Sequence, residues 1–332
     1  MNQTKFAIIG YGNIGKRHAE HILNNPEAKL TALCEVPGFI FPSTLPSHVK
    51  VFFDIEHFLH ECNADVINVC TPNYLHCAHT TAALQKKYHV VCEKPMAMSS
   101  AECAQMIEAA QENSKTIYVV KQNRYNEPVQ QIKKLLNENT LGKIFFININ
   151  CFWNRNEHYY ASEWRGKKHK DGGCLFTQFS HFVDILYYLF GEIKDCQSII
   201  KNLNHPDIEI EDSGSVIMQT KQDAIVNFNF STNSFEKNME GAITILAENG
   251  TVKIGGQYLN TIEYQAIKDV KLPSINIQSK ANDYGQYQGS MSNHDKVIDN
   301  VIKHLQGKEN IMTNAFEGKK VVEMIEMMYG IS

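Results

Sequence analysis

The stretch that decides the fold is Phe6-Ala7-Ile8-Ile9-Gly10-Tyr11-Gly12-Asn13-Ile14-Gly15, four apolar residues that run into a G-x-G-x-x-G pattern. A helical pattern follows it as far as Leu23. In such a loop the first glycine permits a tight turn, the second lets the backbone approach a pyrophosphate, and the third allows the helix to pack on the strand. The phosphates meet free N–H groups at the helix N-terminus. The stretch therefore predicts a dinucleotide site that includes Gly10, Gly12, Asn13 and Ile14.

An acidic residue, Glu35, closes the second predicted strand, 20 residues after Gly15. A carboxylate at this place binds the adenosine ribose hydroxyls and repels a 2′-phosphate. We therefore expect NAD as the cofactor, and a reductase that prefers NADPH conflicts with Glu35. The plainer alternative is a turn followed by an ordinary surface acid, but the position between strand and helix favours the cofactor site.

The first 120 residues alternate short apolar runs with helical patterns. The predicted strands are Phe6–Ile9, Leu30–Cys34, Asp65–Cys70, His89–Cys92 and Thr116–Lys121, and a helix is predicted over Ser100–Glu112. Strands that alternate with helices indicate βαβ units and a doubly wound parallel sheet. We predict an α/β protein whose residues 1–122 form an NAD-binding Rossmann domain.

The pattern changes after Asn123. Further strands are predicted over Lys143–Trp153, Val216–Gln219, Ala224–Phe230 and Ala242–Leu246, with a hairpin turn at Asn249-Gly250. Several strands joined by hairpins indicate an α+β domain with a large, mostly antiparallel open sheet. We assign residues 123–332 to substrate binding and oligomerisation, and expect a loop from Lys271 to Ser292.

Length and composition limit the class of protein. The chain has 332 residues, 43% of them hydrophobic and 20% charged, as in soluble proteins of two domains. No signal peptide or membrane-spanning run is visible, and a net charge of −4 argues against a nucleic-acid binder. Nine cysteines without C-x-x-C spacing indicate reduced thiols in the cytoplasm. His76 and His79 lack spaced ligand partners, so we predict no metal.

Two more predicted strands end in short polar motifs. Thr71-Pro72-Asn73 follows the strand that ends at Cys70, and Glu93-Lys94-Pro95 follows the strand that ends at Cys92. The carboxyl ends of parallel strands line the ligand crevice in this fold, so both motifs are expected to face the cofactor. Lys94, held before a proline, is either a positioned group for a substrate hydroxyl or a surface lysine in a turn.

At this point the chain resembles the Gfo/Idh/MocA family of sugar oxidoreductases. The matching residues are Gly10 to Gly15, Thr71-Pro72-Asn73 with His76, Glu93-Lys94-Pro95, and Gly172-Gly173 followed by His181. The resemblance implies that Lys94 contacts the reacting hydroxyl and that His181 acts as the base. It also adds His76 to the residues expected at the cofactor.

A narrower likeness covers nearly the whole chain. It lies in Val119 to Arg124, Phe152-Trp153 with Arg155, Tyr159-Tyr160, Trp164-Arg165-Gly166, Asp171-Gly172-Gly173, Ile210-Glu211-Asp212 and Glu240-Gly241. These blocks resemble the WlbA-type branch, which oxidises the C3 hydroxyl of UDP-N-acetylglucosaminuronate on the route to surface polysaccharides such as lipopolysaccharide. The resemblance implies a homotetramer or homodimer, and 2-oxoglutarate as the oxidant that recycles NADH. Many relatives carry Asp where this chain has Thr177, which leaves Lys94 and His181 as the proton-handling candidates.

A helix predicted over Leu175–Phe190 carries the second set of candidates. Thr177, Gln178, His181 and Asp184 recur at helical spacing on one side, apart from an apolar stripe. We hypothesise that this polar side faces the nicotinamide and that His181 takes the hydroxyl proton. Asp184 either orients or charge-stabilises His181, or serves packing or a domain contact. A lone histidine on a helix is more often structural, and only the family pattern favours the catalytic reading.

The segment Asn154–Lys170 mixes arginines with aromatic residues. Arginine binds phosphate and carboxylate groups bidentately, and aromatic rings offer a flat surface to a sugar or uracil. The residues expected to bind substrate are Lys94, Arg124, Arg155, Tyr160, Arg165, Thr177, Gln178 and His181. The alternative is a solvated basic loop, which is how we interpret Lys167, Lys168 and Lys170.

Two rival functions stay open. One is a dehydrogenase of the same fold that acts on a free sugar, inositol or sugar acid, against which the basic and aromatic segment counts. The other, from a different class, is a non-catalytic NAD-binding regulator, although such a protein is expected to have lost Lys94 and His181. Fold alone does not decide between them.

Overall fold

The computed structural model describes residues 3–273, 281–283 and 288–331. The chain divides into two compact units, one made of Met1–Val120 with His294–Val322 and the other of Lys121–Asn293 with Glu323–Ser332. The domain limits 1–122 and 123–332 stay a prediction. None of the helices in the described ranges has the length and apolar character that a membrane crossing needs.

The first unit is built on a parallel sheet. Its elements are β1 (Thr4–Ile9), α1 (Asn13–Asn24), β2 (Ala28–Cys34), β3 (Lys50–Phe52), α2 (Ile55–Glu61), β4 (Val66–Val69), α3 (His76–Gln85), β5 (His89–Cys92), α4 (Ser100–Glu112) and β6 (Ile117–Val119). The six strands lie in the order β3-β2-β1-β4-β5-β6, and every neighbouring pair is parallel. The order reverses between β1 and β4, and their carboxyl ends flank the crevice where doubly wound sheets bind ligands. The predicted fold class is confirmed.

Local sequence explains these elements. All four residues of β4, Val66–Val69, are buried, as expected of a central parallel strand covered on both faces. Helix α4 begins where predicted, because the side chain of Ser99 accepts a hydrogen bond from Glu102 N at 3.2 Å. Strand β3 and helix α2 were not predicted. Strand β3 has only three residues, and a strand with a single buried side chain gives no clear periodic pattern.

The second unit is built on a seven-stranded sheet. Its elements are α5 (Glu127–Asn137), β7 (Ile144–Phe152), α6 (Glu157–Tyr160), α7 (Lys168–Asp171), α8 (Cys174–Thr177), α9 (Ser180–Phe190), β8 (Ile193–Lys201), β9 (Ser213–Thr220), β10 (Ile225–Ser231), β11 (Glu240–Ala247), β12 (Gly250–Gly255), β13 (Thr261–Ile267), β14 (Ala281–Asp283) and β15 (Gln288–Met291). Two helices complete the chain: α10 (His294–Leu305), which belongs to the first unit, and α11 (Ala315–Met328), within which the limit between the units falls. The sheet order is β13-β12-β11-β7-β10-β9-β8, and only the β7–β10 pair is parallel. Within the predicted loop 271–292, β14 pairs with β15, and residues 274–280 and 284–287 lie outside the described residues.

The two faces of this sheet differ. Along β7, Ile147, Ile149 and Cys151 are fully buried and alternate with half-exposed residues, as the sequence predicts. On the covered face the rings of Trp153 and Phe182 lie 5.7 Å apart. The opposite face carries exposed apolar side chains, which are Ile199, Ile217, Ile225, Leu246 and Tyr264. The sheet is therefore open on one side in this chain.

Candidate active site

The glycine loop between β1 and α1 leaves room for a diphosphate. Gly10 has φ +89°, and a Cβ there would lie 2.8 Å from the Cys70 carbonyl oxygen. A Cβ at Gly15 would lie 1.9 Å from the Gly10 oxygen, whereas one at Gly12 would meet nothing within 4 Å. Among the described residues no side chain caps the first turn of α1. The N–H groups of that turn, which include Asn13 and Ile14, therefore fit the pyrophosphate of NAD.

The carboxylate of Glu35 is fixed at the end of β2. One oxygen accepts a hydrogen bond from Tyr11 N at 2.7 Å, and the other accepts from Val36 N at 3.0 Å. These bonds tie the acid to the glycine loop, where its charge disfavours a 2′-phosphate. The position agrees with the one expected for an acid that binds the adenosine ribose.

The two strand-end motifs are joined by His76. Its Nδ1 lies 2.6 Å from the Pro95 carbonyl oxygen and its Nε2 lies 2.8 Å from the Thr71 carbonyl oxygen. Burial lowers the pKa of His76, and the two carbonyl contacts oppose that shift. His76 thus links the loop of Thr71, Pro72 and Asn73 to the turn that carries Lys94, and a contact with the cofactor stays a prediction. The side chain of Lys94 is half-buried.

Glu93 belongs to a buried polar cluster that the sequence analysis missed. Its Oε1 lies 2.8 Å from His18 Nε2 and 3.5 Å from His294 Nε2, while Asn68 Nδ2 lies 2.8 Å from His18 Nδ1. The ligand atoms of His18, Glu93 and His294 lie within 4.8 Å of one another, a grouping that could hold a metal ion. The 2.8 Å contacts are hydrogen bonds between these side chains, so the cluster is already bonded internally. That the protein uses no metal stays a prediction.

The predicted helix over Leu175–Phe190 is two helices, α8 and α9, which are separated at Gln178 and Phe179. His181 lies in the first turn of α9 and is 4% exposed. Its Nε2 lies 3.3 Å from Ser290 Oγ, which accepts a hydrogen bond from Gln122 Nε2 at 2.9 Å. The tautomer of His181 decides which of the two atoms donates. Neither Ser290 nor Gln122 was a candidate from the sequence, since no local pattern connects them to His181.

The residues before His181 have partners of their own. The Thr177 hydroxyl donates to the carboxylate of Asp171 and lies 3.1 Å from the Asp171 carbonyl oxygen. Gln178 Nε2 donates to Tyr159 Oη at 2.9 Å. Burial raises the pKa of Asp171 to about 6, against hydrogen bonds from Thr177 and Gly166. The sequence did not connect Asp171 with Thr177, six positions later, and the structure joins the two by hydrogen bonds.

Arg124 and Asp184 form a buried ion pair. Arg124 Nε and Nη2 donate to the two Asp184 oxygens at 3.0 and 2.7 Å, and Lys121 Nζ lies 3.8 Å from one of them. Arg124 is 1% exposed and lies over the Tyr188 ring. The pairing with Arg124 agrees with the packing alternative for Asp184, and a role of Asp184 toward His181 stays a prediction. The charge of Arg124 is already compensated by Asp184. The expected contact between Arg124 and a substrate stays a prediction.

A cavity of about 840 Å³ opens in the second unit beside the predicted basic and aromatic segment. Arg155, Tyr160 and Arg165 line it, together with the loop 204–209 and the turn 232–236. The Arg155 guanidinium donates to carbonyl oxygens, at 3.3 Å in the case of Gln288, and lies over the Trp153 and Tyr159 rings. Arg165 lies 4.5 Å from the centroid of Tyr159. Stacking on rings orients these cations. The acids Glu157, Asp207, Glu209 and Glu236 also line the cavity, so its wall carries charges of both signs.

Both parts of the chain match known families. Residues 4–121 match the profile described as the oxidoreductase family, NAD-binding Rossmann fold, and residues 129–253 match the GFO/IDH/MocA C-terminal domain. The predicted NAD-binding Rossmann domain is thereby confirmed.

Solved structures and curated proteins extend the likeness. The WlbA dehydrogenase from Bordetella pertussis, solved with NADH and UDP-GlcNAcA, is 30% identical over 99% of this chain and 96% of its own, with a TM-score of 0.89. The WlbA dehydrogenase from Chromobacterium violaceum, with the same ligands, is 31% identical over 100% and 94%, with a TM-score of 0.90.

Curated relatives match over shorter stretches. Inositol 2-dehydrogenase of Salmonella typhimurium is 24% identical over 57% of this chain and 55% of its own. The match to another curated relative, an uncharacterised oxidoreductase from Streptococcus pneumoniae, covers 61% of that protein. This chain therefore matches little more than half the length of these two relatives. The two family profiles and the whole-chain likeness to the WlbA dehydrogenases agree, and the chain belongs to the Gfo/Idh/MocA family of NAD-binding oxidoreductases.

Proposed function

We propose that this enzyme uses NAD to oxidise the C3 hydroxyl of UDP-N-acetylglucosaminuronate, giving the 3-keto sugar for surface polysaccharide biosynthesis. The observation that carries the proposal is the likeness over 99 to 100% of the chain to two WlbA dehydrogenases that hold NADH and UDP-GlcNAcA. A cavity in the second unit, whose lining includes Arg165 and Tyr160 beside acidic residues, is the support from this chain's own residues.

The reaction removes a hydride from C3 and a proton from its hydroxyl. When bound, NAD supplies the acceptor for the hydride. Lys94 donates a hydrogen bond to the reacting hydroxyl and thereby favours the charge that develops on its oxygen. His181 takes the proton of that hydroxyl. Ser290 Oγ, 3.3 Å from His181 Nε2 and bonded to Gln122, orients the imidazole.

The cavity in the second unit is the proposed binding site of the UDP group. A diphosphate and a uronate together carry negative charges that forked guanidinium donors bind well. Arg165 supplies such donors and is oriented by the Tyr159 ring. The Arg155 guanidinium already donates to Asn154, Asn238 and Gln288, so it shapes the wall of the cavity. The Tyr160 ring lies 5.1 Å from that of His205, and together they offer flat surface to a sugar or base.

A second candidate is a dehydrogenase of a free polyol or sugar. The match to inositol 2-dehydrogenase favours it, although that match covers 57% of this chain. A free sugar has no diphosphate, so it gives the arginines of the cavity no ligand. The two candidates therefore differ in how activity depends on Arg165.

The deciding experiment mixes purified enzyme with NAD and UDP-N-acetylglucosaminuronate and follows reduced nicotinamide by absorbance, with and without 2-oxoglutarate. A small rise that 2-oxoglutarate consumes supports the 3-dehydrogenase and the recycling together. A sustained rise unaffected by 2-oxoglutarate keeps the dehydrogenase and removes that oxidant. No signal, while NAD binds normally, contradicts the proposal and directs the assay to inositol and other free sugars, and then to a regulatory role.

We also propose that the open face of the seven-stranded sheet is covered by a second copy in a homodimer or homotetramer. This face carries exposed side chains that include Ile199 and Ile217, 71% and 57% exposed. Exposed apolar area of this kind is unusual on a monomer. Ile217→Asp is expected to shift the mass measured by light scattering toward the monomer, whereas Val36→Asp in the first unit leaves it unchanged. A monomeric wild-type protein contradicts the proposal.

A further inference from the structure

The turn Glu93-Lys94-Pro95 is held by side chains that come from distant parts of the chain. Glu93 stands directly after β5 and is 4% exposed. One of its oxygens faces His18 on α1 and His294 on α10, at 2.8 and 3.5 Å. The other oxygen accepts a hydrogen bond from Lys94 N at 3.1 Å. The carboxylate therefore connects two helices to the backbone of Lys94, and all these residues belong to the first unit.

A carboxylate buried this deeply stays charged only with partners, because removal from water favours its protonated form. Burial raises the pKa of Glu93, but the hydrogen bonds from His18 and His294 outweigh it and hold the pKa well below its ordinary value. A charged carboxylate accepts hydrogen bonds at both oxygens, and charge-assisted bonds are the stronger kind. The bond to Lys94 N thus depends on the two histidines on the far side of Glu93.

The imidazole of His18 is held from both sides. Asn68 Nδ2 lies 2.8 Å from its Nδ1, and Glu93 Oε1 lies 2.8 Å from its Nε2. On its other side the turn is held by His76, through the 2.6 Å contact with the Pro95 carbonyl oxygen. Both ends of the turn are thus fixed by buried imidazoles.

We infer that His18 and His294 are positioning residues that act through Glu93 to hold the backbone at Lys94. The inference rests on the proposed function only for the chemical role of Lys94, since the contacts themselves are those of the first unit. A fixed backbone limits where the Lys94 ammonium group can reach, and a misplacement of about 1 Å in such a group costs up to about 100-fold in rate. No part of this cluster needs to touch the cofactor or substrate.

The test uses His294, because its 3.5 Å contact to Glu93 comes from a helix far along the chain. His294→Leu removes the imidazole that lies 3.5 Å from Glu93, and His294→Gln keeps a polar N–H group near the place of Nε2. His304→Leu is the control, since His304 lies on the same helix and contacts Tyr118 at 2.8 Å. We expect His294→Leu to lower kcat about 10-fold to 100-fold with little change in KM for NAD. His294→Gln and His304→Leu are expected to stay within about threefold of wild type.

A double-mutant cycle separates positioning from plain stability. In a Lys94→Ala background, His294→Leu is expected to cause no further loss of kcat, because both changes act on one group. Equal losses in both backgrounds would overturn the inference. A lowered melting temperature with unchanged kcat would also overturn it.

Amide hydrogen exchange gives a readout that needs no substrate. His294→Leu is expected to speed exchange at the Lys94 amide about 10-fold or more, while the amides of β1 stay protected and His304→Leu changes neither. If the enzyme fails to oxidise the nucleotide sugar, the proposed function fails, but this exchange result still decides the positioning. If the exchange rate of the Lys94 amide is unchanged in His294→Leu, the inference is contradicted even when the enzyme is active.

Discussion

The hydroxyl of Thr177 donates a hydrogen bond to the carboxyl group of Asp171, which is fully buried. A second buried acid, Glu211, accepts hydrogen bonds from Cys174 N at 2.7 Å and from Tyr329 Oη at 2.5 Å. Burial raises the pKa of Asp171 to about 6 and that of Glu211 to about 7. Two buried carboxyl groups therefore have pKa values near neutral pH, Asp171 in the segment before His181 and Glu211 bonded to Cys174 of that segment.

Stability is expected to fall as these acids lose their protons. Because their pKa values in the folded state lie above the ordinary 3.8 and 4.5, the folded chain binds protons more tightly than the unfolded chain. Their contribution is complete below about pH 4 and is lost as the pH rises through 6 and 7. Asp171→Asn imitates the protonated acid. Between pH 5 and pH 8 the free energy of unfolding of this variant should therefore fall by about 1 kcal/mol less than that of wild type.

Urea unfolding at these two pH values measures the difference. Asp195→Asn, an exposed acid on β8, serves as the control and is expected to follow wild type. Identical pH dependence in wild type and Asp171→Asn would mean that Asp171 is ionised throughout, and would remove this account of the segment.

Glu35 is expected to set the choice of cofactor. Glu35→Ser removes a carboxylate that is oriented by Tyr11 N at 2.7 Å. It takes away both an acceptor for the ribose hydroxyls and the charge that repels a 2′-phosphate. NAD should bind about 10-fold more weakly, equal to about 1.4 kcal/mol, while NADP binds more tightly than to wild type. Fluorescence titration with the two reduced cofactors measures both constants, and an unchanged ratio would contradict the role of Glu35.

The first unit could be predicted from the sequence because its signals are local. Strand β4 is a continuous apolar run, α4 starts at a capping serine, and the glycine loop stands between a strand and a helix. The break between α8 and α9 could not be predicted in this way. The apolar spacing continues through Gln178 and Phe179, and the helix is interrupted where Gln178 reaches across to Tyr159.

The partners in the candidate site were hidden for a related reason. Arg124 pairs with Asp184 over 60 positions, and His18 pairs with Glu93 over 75. The sequence places such residues on the correct strand end or helix, but a contact between distant segments leaves no periodic signal. The segment Asn154–Lys170 could be recognised from its content of basic and aromatic residues. Its cavity depends on the loop 204–209 and the turn 232–236, which carry no such signal.

Arg165 is expected to bind the diphosphate of the substrate. Arg165→Ala removes a forked cation from the cavity, where it is held 4.5 Å from the Tyr159 centroid. KM for the UDP-sugar should rise about 10-fold to 100-fold, because a charged hydrogen bond contributes about 1.5 to 3 kcal/mol. NAD binding is expected to stay unchanged.

Lys168→Ala is the matched control for Arg165→Ala, since Lys168 lies in the same basic segment but does not line the cavity. It should leave KM for the UDP-sugar within about twofold of wild type. Steady-state kinetics at two salt concentrations measure both variants. If KM for the UDP-sugar rises equally in both variants, the general charge of the segment is responsible and Arg165 is not a specific binding residue.

The packing around Gly173 predicts a sharp loss of stability on a small change. Gly173 has φ +118°, and a Cβ there would lie 2.2 Å from Tyr329 Oη. Gly191 has φ +79°, but a Cβ there would meet nothing within 4 Å. Both alanine variants therefore suffer backbone strain of about 1 to 2 kcal/mol, and Gly173→Ala must in addition displace the tyrosine.

Displacement of Tyr329 leaves Leu175 N without its 3.0 Å acceptor and takes a donor from Glu211. Gly173→Ala is therefore expected to reduce the free energy of unfolding by about 2 kcal/mol or more beyond the loss in Gly191→Ala. Thermal and urea unfolding of the two variants measure the difference, and Gly173→Ala combined with Tyr329→Phe is expected to recover part of it. Equal losses in the two variants would show that the Tyr329 hydroxyl moves away at no cost, so that its bonds to Leu175 and Glu211 do not stabilise this segment.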